Sequence, residues 1–150
     1  MTVVVGVDNS AAAKAALRLA AQEARWRNAP LVAVTAYEPP LSMPTGGYPA
    51  AAKHTPAEER ATAESALRDT VKDELGGQAE QADMRVSPGL AGRVIVDTAR
   101  QTHAQLIVLA AHVGKPVVPG TVSQYVLLKA RCPSQSSRAR AQSQMARVTS

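Results

Sequence analysis

Residues 105–123 read QLIVLAAHVGKPVVPGTVS and hold the pattern that decides the fold. Residues 106–110 are a short, continuous apolar run, which predicts a strand that is buried on both faces of a sheet. The stretch from Ala111 to Ser123 then carries glycines and prolines, which predict a loop, and a helix begins at Thr121. Such a loop is the place where an open α/β sheet would hold the phosphates of a nucleotide.

Apolar strands alternate with helical patterns along the rest of the chain. Three further strands are predicted at 2–8, 31–36 and 82–87, and helices follow them to about Arg27, Leu75 and His103. Strands that are separated by helices form a parallel sheet with right-handed crossovers. The predicted fold class is therefore α/β, an open parallel sheet with helices on both faces.

Two segments look like helix starts. Asn9 and Ser10 can cap the alanine-rich segment that follows the first strand. Thr55-Pro56-Ala57-Glu58 has the residues of a capping box, with proline at the first helical position. Between the second strand and this second helix, residues 37–54 are rich in Pro, Gly and Tyr, and a loop of that length suggests either a function or disorder.

Composition limits the class of protein. A chain of 150 residues with 45% hydrophobic and 19% charged residues fits one folded domain. No apolar run is long enough to cross a bilayer, and Met1 is followed at once by a strand-like segment, so we expect a cytoplasmic protein. Cys132 is the single cysteine, and no Cys/His cluster has the spacing of a metal site.

The positive charge is concentrated at the carboxyl end. Of the formal net charge of +5, three charges come from Arg138, Arg140 and Arg147, in a stretch without acidic residues. The polar residues 134–150 predict a disordered basic tail, and residues 1–133 predict the domain. The tail has no Tyr, Phe or Trp to stack on bases, which argues against binding of nucleic acid.

Several segments together resemble the universal stress protein family, in the right order over roughly residues 2–133. They are VVGVDNS at 4–10, VAV at 32–34, LIVL at 106–109, GTVSQYVL at 120–127 and ARCP at 130–133. The resemblance implies five parallel strands, a homodimer and, in one branch of the family, binding of ATP. In the family an apolar strand follows the Cys-Pro pair, but residues 134–142 are polar, so we expect the fifth strand to be missing.

The resemblance also implies a set of nucleotide-binding residues. It places Asp8 at the nucleotide end of the first strand and Val34 beside the base, although a helix cap and core packing explain these two residues equally well. In the loop after the fourth strand, the ATP-binding branch has three glycines and a hydroxyl residue. The corresponding positions, with the amides and hydroxyls at the start of the next helix, are Ala111, Gly114, Gly120, Thr121, Val122 and Ser123.

This chain departs from the ATP-binding pattern in ways that weaken a phosphate site. Ala111 stands where the family has its first glycine, and its methyl group would crowd a ligand. Only five residues separate Gly114 from Gly120, fewer than in the family, and two of them are prolines without amide donors. Lys115 would still supply a positive charge. The alternatives are a stress-response regulator that binds ATP or a related nucleotide, and a nucleotide-free interaction scaffold of the same fold.

Catalysis is not predicted. His112 lies in the loop without a Ser or Asp at a recognisable catalytic spacing. No acid/base pair or nucleophile constellation emerges, so we expect neither an enzyme nor a bound metal.

Overall fold

The computed structural model describes residues 1–37, 55–111 and 121–138. Strands and helices alternate in these ranges, and a short 3-10 helix at Gly76–Gln81 precedes the third strand. The elements are β1 Thr2–Gly6, α1 Ala11–Trp26, β2 Leu31–Tyr37, α2 Pro56–Leu75, β3 Ala82–Pro88, α3 Ala91–Gln101, β4 Ala104–Ala111, α4 Thr121–Lys129 and β5 Ser134–Arg138. Residues 38–54 of the predicted long loop lie outside the described residues.

The strands form one parallel sheet in the order β3-β2-β1-β4-β5. Val4 of the central strand β1 pairs with Val32 on one side and with Ile107 on the other. Strands of a parallel sheet are covered on both faces, which explains why these strands are continuous apolar runs in the sequence. The predicted fold class, an open parallel α/β sheet, is confirmed.

Alternate residues of the strands pack into two cores on opposite faces of the sheet. On one face Val3 and Val5 pack with Leu17 of α1 and with Leu67 and Val71 of α2. On the other face Val4, Val32, Val34 and Ile107 pack with residues of α3 and with Val126 of α4. The prediction of helices on both faces is therefore confirmed.

Both predicted helix starts are present. The hydroxyl oxygen of Ser10 accepts a hydrogen bond from the backbone N–H of Ala13 at 3.1 Å and caps α1. In the capping box of α2 the Thr55 hydroxyl oxygen accepts from the N–H of Glu58 at 3.2 Å, and the Glu58 carboxylate accepts from the N–H of Thr55 at 2.6 Å. These bonds satisfy amides that a helix leaves free in its first turn.

The expectation of a missing fifth strand is wrong. β5 pairs in parallel with β4 over five residues, from Ile107 opposite Ser134 to Ala111 opposite Arg138. Sheet pairing uses backbone groups, and an edge strand such as β5 needs partners on one side only, so polar residues can form it. Residues 134–138, assigned from the sequence to a disordered tail, thus belong to the sheet, whereas residues 139–150 lie outside the described part.

Candidate functional site

The strand order reverses between the neighbouring strands β1 and β4. From β1 the chain passes through α1 to β2 on one side, and from β4 it passes through α4 to β5 on the other side. In parallel α/β sheets a reversal of this kind forms the crevice in which ligands bind, beyond the carboxyl ends of the two strands, here β1 and β4. The residues after these two strands are the ones that the sequence singled out.

Two hydrogen bonds hold the exit of β1 against β2. The N–H of Val7 donates to the carbonyl oxygen of Val34 at 2.9 Å, and the hydroxyl of Thr35 donates to the carbonyl oxygen of Val7 at 2.9 Å. Both polar groups of the Val7 backbone are thus satisfied just before the chain turns into α1. This arrangement sets the position of Asp8.

Asp8 is exposed at this edge and belongs to the cap of α1. Its Oδ1 accepts a hydrogen bond from the N–H of Ser10 at 2.9 Å and another from the Ser10 hydroxyl. Ser10 in turn caps the helix. The first turn of α1 contains no acidic residue that would offset the partial positive charge of the helix start. Asp8 therefore has a structural role, and its exposed carboxylate lies just beyond the carboxyl end of β1.

Val34 is a core residue by its side chain. Only 1% of Val34 is exposed, and it packs among the buried residues of the α3 and α4 face. Its carbonyl oxygen accepts the hydrogen bond from the N–H of Val7. The backbone of Val34 thus lies next to the turn that contains Asp8, while the side chain of Val34 packs in the core.

The remaining predicted residues flank the loop after β4. Because β1 and β4 are parallel, Ala111, the last residue of β4, lies at the same edge of the sheet as the turn that contains Asp8. α4 begins at Thr121 and continues through Ser123, and Val122 in its first turn is 36% exposed. The loop itself, with Gly114 and Gly120 as well as His112 and Lys115, lies outside the described residues.

Two glycines that sequence reasoning missed control how the helices approach this edge. A Cβ on Gly6 would lie 2.7 Å from Cδ1 of Ile95, so the missing side chain lets α3 pack against the end of β1. A Cβ on Gly92 would lie 3.0 Å from Cδ1 of Tyr125, so α3 and α4 also approach closely. An isolated glycine inside a predicted strand or helix is the sequence signal for such close packing.

Thr35 was missed for a different reason. It is a polar, β-branched residue at the end of an apolar strand, and such residues fit a strand without any special role. Its hydroxyl bond to Val7 depends on the neighbouring strand, which the sequence of β2 alone does not identify.

Cys132 lies beside the core on the α3 and α4 face. It is half-buried, and this burial raises the pKa of its thiol. A raised pKa keeps the thiol protonated near neutral pH, which is the opposite of what a reactive cysteine needs.

Two grooves in the described part of the chain lie away from the switch point. One, of about 520 Å³, runs between α2 and β3, and the other, of about 470 Å³, lies near Pro30 at the amino ends of β2 and β3. Among the described residues no three His, Cys, Asp or Glu side chains group as a metal site. None of the described helices is long and apolar enough to span a membrane.

Comparison with known proteins identifies a family. A family model described as the universal stress protein family matches residues 1–134. A search of curated proteins found no match.

Solved structures with the same fold carry the same description. The universal stress protein UspA from Lactobacillus plantarum is 27% identical, with 91% of this chain and 97% of that chain covered and a TM-score of 0.66. The universal stress protein from Archaeoglobus fulgidus in complex with dAMP is 26% identical, with 91% and 97% covered and a TM-score of 0.62. A universal stress protein in complex with cAMP is 24% identical, with 93% and 98% covered and a TM-score of 0.69, a likeness that shows the fold.

Proposed function

Because this chain belongs to the universal stress protein family, we propose that it is a cytoplasmic, non-enzymatic regulator of the stress response that binds an adenine nucleotide and associates with a second copy of itself. The nucleotide site is the crevice beyond the carboxyl ends of β1 and β4. No step of covalent chemistry is part of this function.

The observation that carries the proposal is the convergence of the Asp8 turn and the end of β4 at the switch point. The bonds of Val7 to Val34 and Thr35 fix one wall of the crevice without any ligand. The start of α4 supports the proposal as well, because the first backbone amides of a helix have no partners within the helix and can bind an anion. A site that is formed before binding loses less entropy when a ligand binds.

The nature of the ligand follows from the relatives and from the loop. The Archaeoglobus fulgidus protein was solved with dAMP, and it is similar to this chain over almost its whole length. The methyl group of Ala111 would crowd a ligand, and the two prolines of the short loop have no amide donors to offer to a chain of phosphates. These features favour a nucleoside monophosphate over ATP.

Titration calorimetry of the full chain with dAMP, AMP and ATP, the last with and without Mg²⁺, tests the proposal. We expect saturable binding of the monophosphates, and Asp8→Ala should weaken it about tenfold or more, because a charged hydrogen-bonding group is lost at the crevice. Asp69→Ala is the matched control, since Asp69 is an exposed carboxylate on α2, away from the crevice. Absence of binding for all nucleotides, together with no nucleotide released from freshly purified protein in mass spectrometry, would contradict the proposal.

The second candidate is a nucleotide-free interaction scaffold with the same fold. It is favoured by the fact that Asp8 and Val34 both have structural partners, Ser10 for the carboxylate and the core for the valine side chain. Neither residue needs a ligand to account for its position. A nucleotide that copurifies with the protein would exclude this candidate.

A further inference from the structure

The last strand brings a basic residue to the edge of the sheet that holds the proposed nucleotide site. β5 ends at Arg138, and the register of the two strands pairs Arg138 with Ala111, the last residue of β4. Because the strands are parallel, both residues lie at the carboxyl edge, where β4 borders the crevice. Among the last residues of the strands in the described part of the chain, Arg138 is the one charged residue; these residues are Gly6, Tyr37, Pro88, Ala111 and Arg138.

The position of Arg138 is close to the crevice. Hydrogen-bonded neighbouring strands lie about 4.8 Å apart, so the backbone of Arg138 is one strand spacing from that of Ala111 and two from β1. A phosphate group beyond the end of β4 would therefore lie between the turn that contains Asp8 and the position of Arg138. The long side chain of an arginine covers a distance of this size.

Strand alternation places Arg138 on the same face of the sheet as α4. Ile107 and Leu109 belong to the core on the α3 and α4 face, and Ala111 follows them with the same period of two. Paired positions of neighbouring strands share a face, so position 138 is on the α4 face as well. The chain passes from β4 through α4 to β5, so the start of α4 also lies at the carboxyl edge. The first amides of α4 and the position of Arg138 therefore share one edge and one face of the sheet.

The charges at this edge separate a nucleoside end from a phosphate end. Asp8, just beyond β1, has an exposed carboxylate, which accepts hydrogen bonds and repels a phosphate. Arg138 lies on the other side of β4, and a guanidinium binds a phosphate through paired, charge-assisted hydrogen bonds. A nucleotide with its base and ribose near Asp8 and its phosphate near Arg138 fits both charges.

We propose that Arg138 binds the phosphate group of the nucleotide and gives the site its selectivity for phosphorylated ligands. This proposal rests on the proposed function and names the residue that selects the phosphate. The two prolines of the short loop after β4 offer no amide donors, and Arg138 supplies a charged donor at the same edge. A single guanidinium pairs with a single phosphate group, which agrees with a preference for a nucleoside monophosphate.

Titration calorimetry of the full chain with dAMP and with deoxyadenosine tests the proposal, because the two ligands differ only in the phosphate. The wild type should bind dAMP about tenfold or more tightly than deoxyadenosine. R138Q, which removes the charge, should lose this ratio and leave the affinity for deoxyadenosine unchanged. R138K keeps a positive charge and should retain part of the ratio. R131Q is the matched control, since Arg131 is an exposed arginine just before the amino end of β5.

The outcomes separate this proposal from the proposed function. A wild type that binds neither ligand contradicts both. A wild type that binds the two ligands equally, or an R138Q variant that keeps the full preference for dAMP, contradicts the role of Arg138 alone. Equal losses of affinity for both ligands in R138Q would indicate a structural role and would also overturn the proposal.

Lys115 is the other basic residue that the sequence places near a phosphate, in the loop after β4. K115Q therefore goes through the same two titrations. A preference for dAMP that disappears in K115Q and persists in R138Q would assign the phosphate to Lys115 and overturn the proposal. A loss in R138Q supports it, whether or not K115Q also loses part of the preference.

Phosphorus NMR spectroscopy of bound dAMP gives a second readout that a structural role would not change. The second pKa of a phosphate monoester is about 6, and a neighbouring cation lowers it because the cation favours the doubly charged form. The pKa of the phosphate should therefore be lower in the complex with the wild type than in the complex with R138Q. Equal pKa values in the two complexes would overturn the proposal.

Discussion

The hydroxyl of Thr35 on β2 donates a hydrogen bond of 2.9 Å to the carbonyl oxygen of Val7, one residue before Asp8. This bond joins the two strands at the point where β1 ends and the turn into α1 begins. It thereby links a residue of the sheet to the position of the proposed ligand contact.

Thr35→Val removes this bond and leaves the Val7 carbonyl without its hydroxyl partner. We expect a decrease of about 1 kcal/mol in the free energy of unfolding, measured in urea, and weaker binding of dAMP because the Asp8 turn loses an anchor. Thr35→Ser, which keeps the hydroxyl, is the control and should bind dAMP like the wild type. Equal affinity of the valine and serine variants would show that the bond does not position the site.

Gly6 and Ile95 provide a test of close packing at the end of β1. Gly6→Ala places a methyl group 2.7 Å from Cδ1 of Ile95 and 3.6 Å from Cδ2 of Leu109, and we expect destabilisation of about 1–3 kcal/mol. Ile95→Val removes Cδ1 and alone should cost about 0.5–1.5 kcal/mol. The double variant should be more stable than the sum of the two single effects predicts, because the valine gives the new methyl group room.

Urea unfolding of the four proteins in this cycle measures that coupling. Strict additivity would mean that the cost of the new methyl group does not arise from its contact with Cδ1 of Ile95. Gly92→Ala is a useful comparison, since its new Cβ would lie 3.0–3.2 Å from three atoms of Tyr125, a slightly wider gap.

Local patterns account for the parts of the fold that were predicted correctly. The apolar runs around Val4 and Ile107, and the capping box of Thr55 and Glu58, depend on residues that are close in the chain. They were sufficient to predict a parallel sheet with helices on both faces. The starts of α1 and α2 each carried their own signal within four residues.

The features that were not predicted depend on contacts between distant segments. β5 has no apolar pattern because its pairing with β4 uses the backbone, and the bond of Thr35 to Val7 joins two strands. For the candidate site, the sequence singled out Asp8 and Ala111, which the structure brings to one edge. It could not distinguish a cap from a ligand contact at Asp8, because one carboxylate can serve both.

The thiol of Cys132 should react slowly in the folded protein. Burial raises the pKa of this thiol above its ordinary value of 9.0, so little thiolate is present near neutral pH. We expect alkylation by iodoacetamide to be slower than that of glutathione at the same pH and to become fast in concentrated urea. A rate equal to that of glutathione in the native protein would contradict a protected thiol.

The raised pKa of Cys132 also predicts how the stability of the protein changes with pH. Because the folded-state pKa is raised, the protonated thiol contributes stability that is fully present below 9.0 and is lost as the pH rises through the folded-state pKa. Cys132→Ser should reduce that loss between neutral and alkaline pH, since serine does not ionise in this range. Thermal unfolding of both proteins as a function of pH measures the difference.

Shortening the chain at two positions tests whether β5 completes the sheet. A chain that ends at Arg138 keeps all five strands, and its free energy of unfolding should lie within about 0.5 kcal/mol of the full-length value. A chain that ends at Pro133 loses β5, so β4 loses its ladder from Ile107 to Ala111 and the buried Ser134 is removed. We expect this shorter chain to be less stable by about 2 kcal/mol or more and to aggregate through the exposed edge of β4. Urea unfolding and light scattering of the two chains measure these differences, and equal stability of both would mean that the polar strand contributes nothing to the fold.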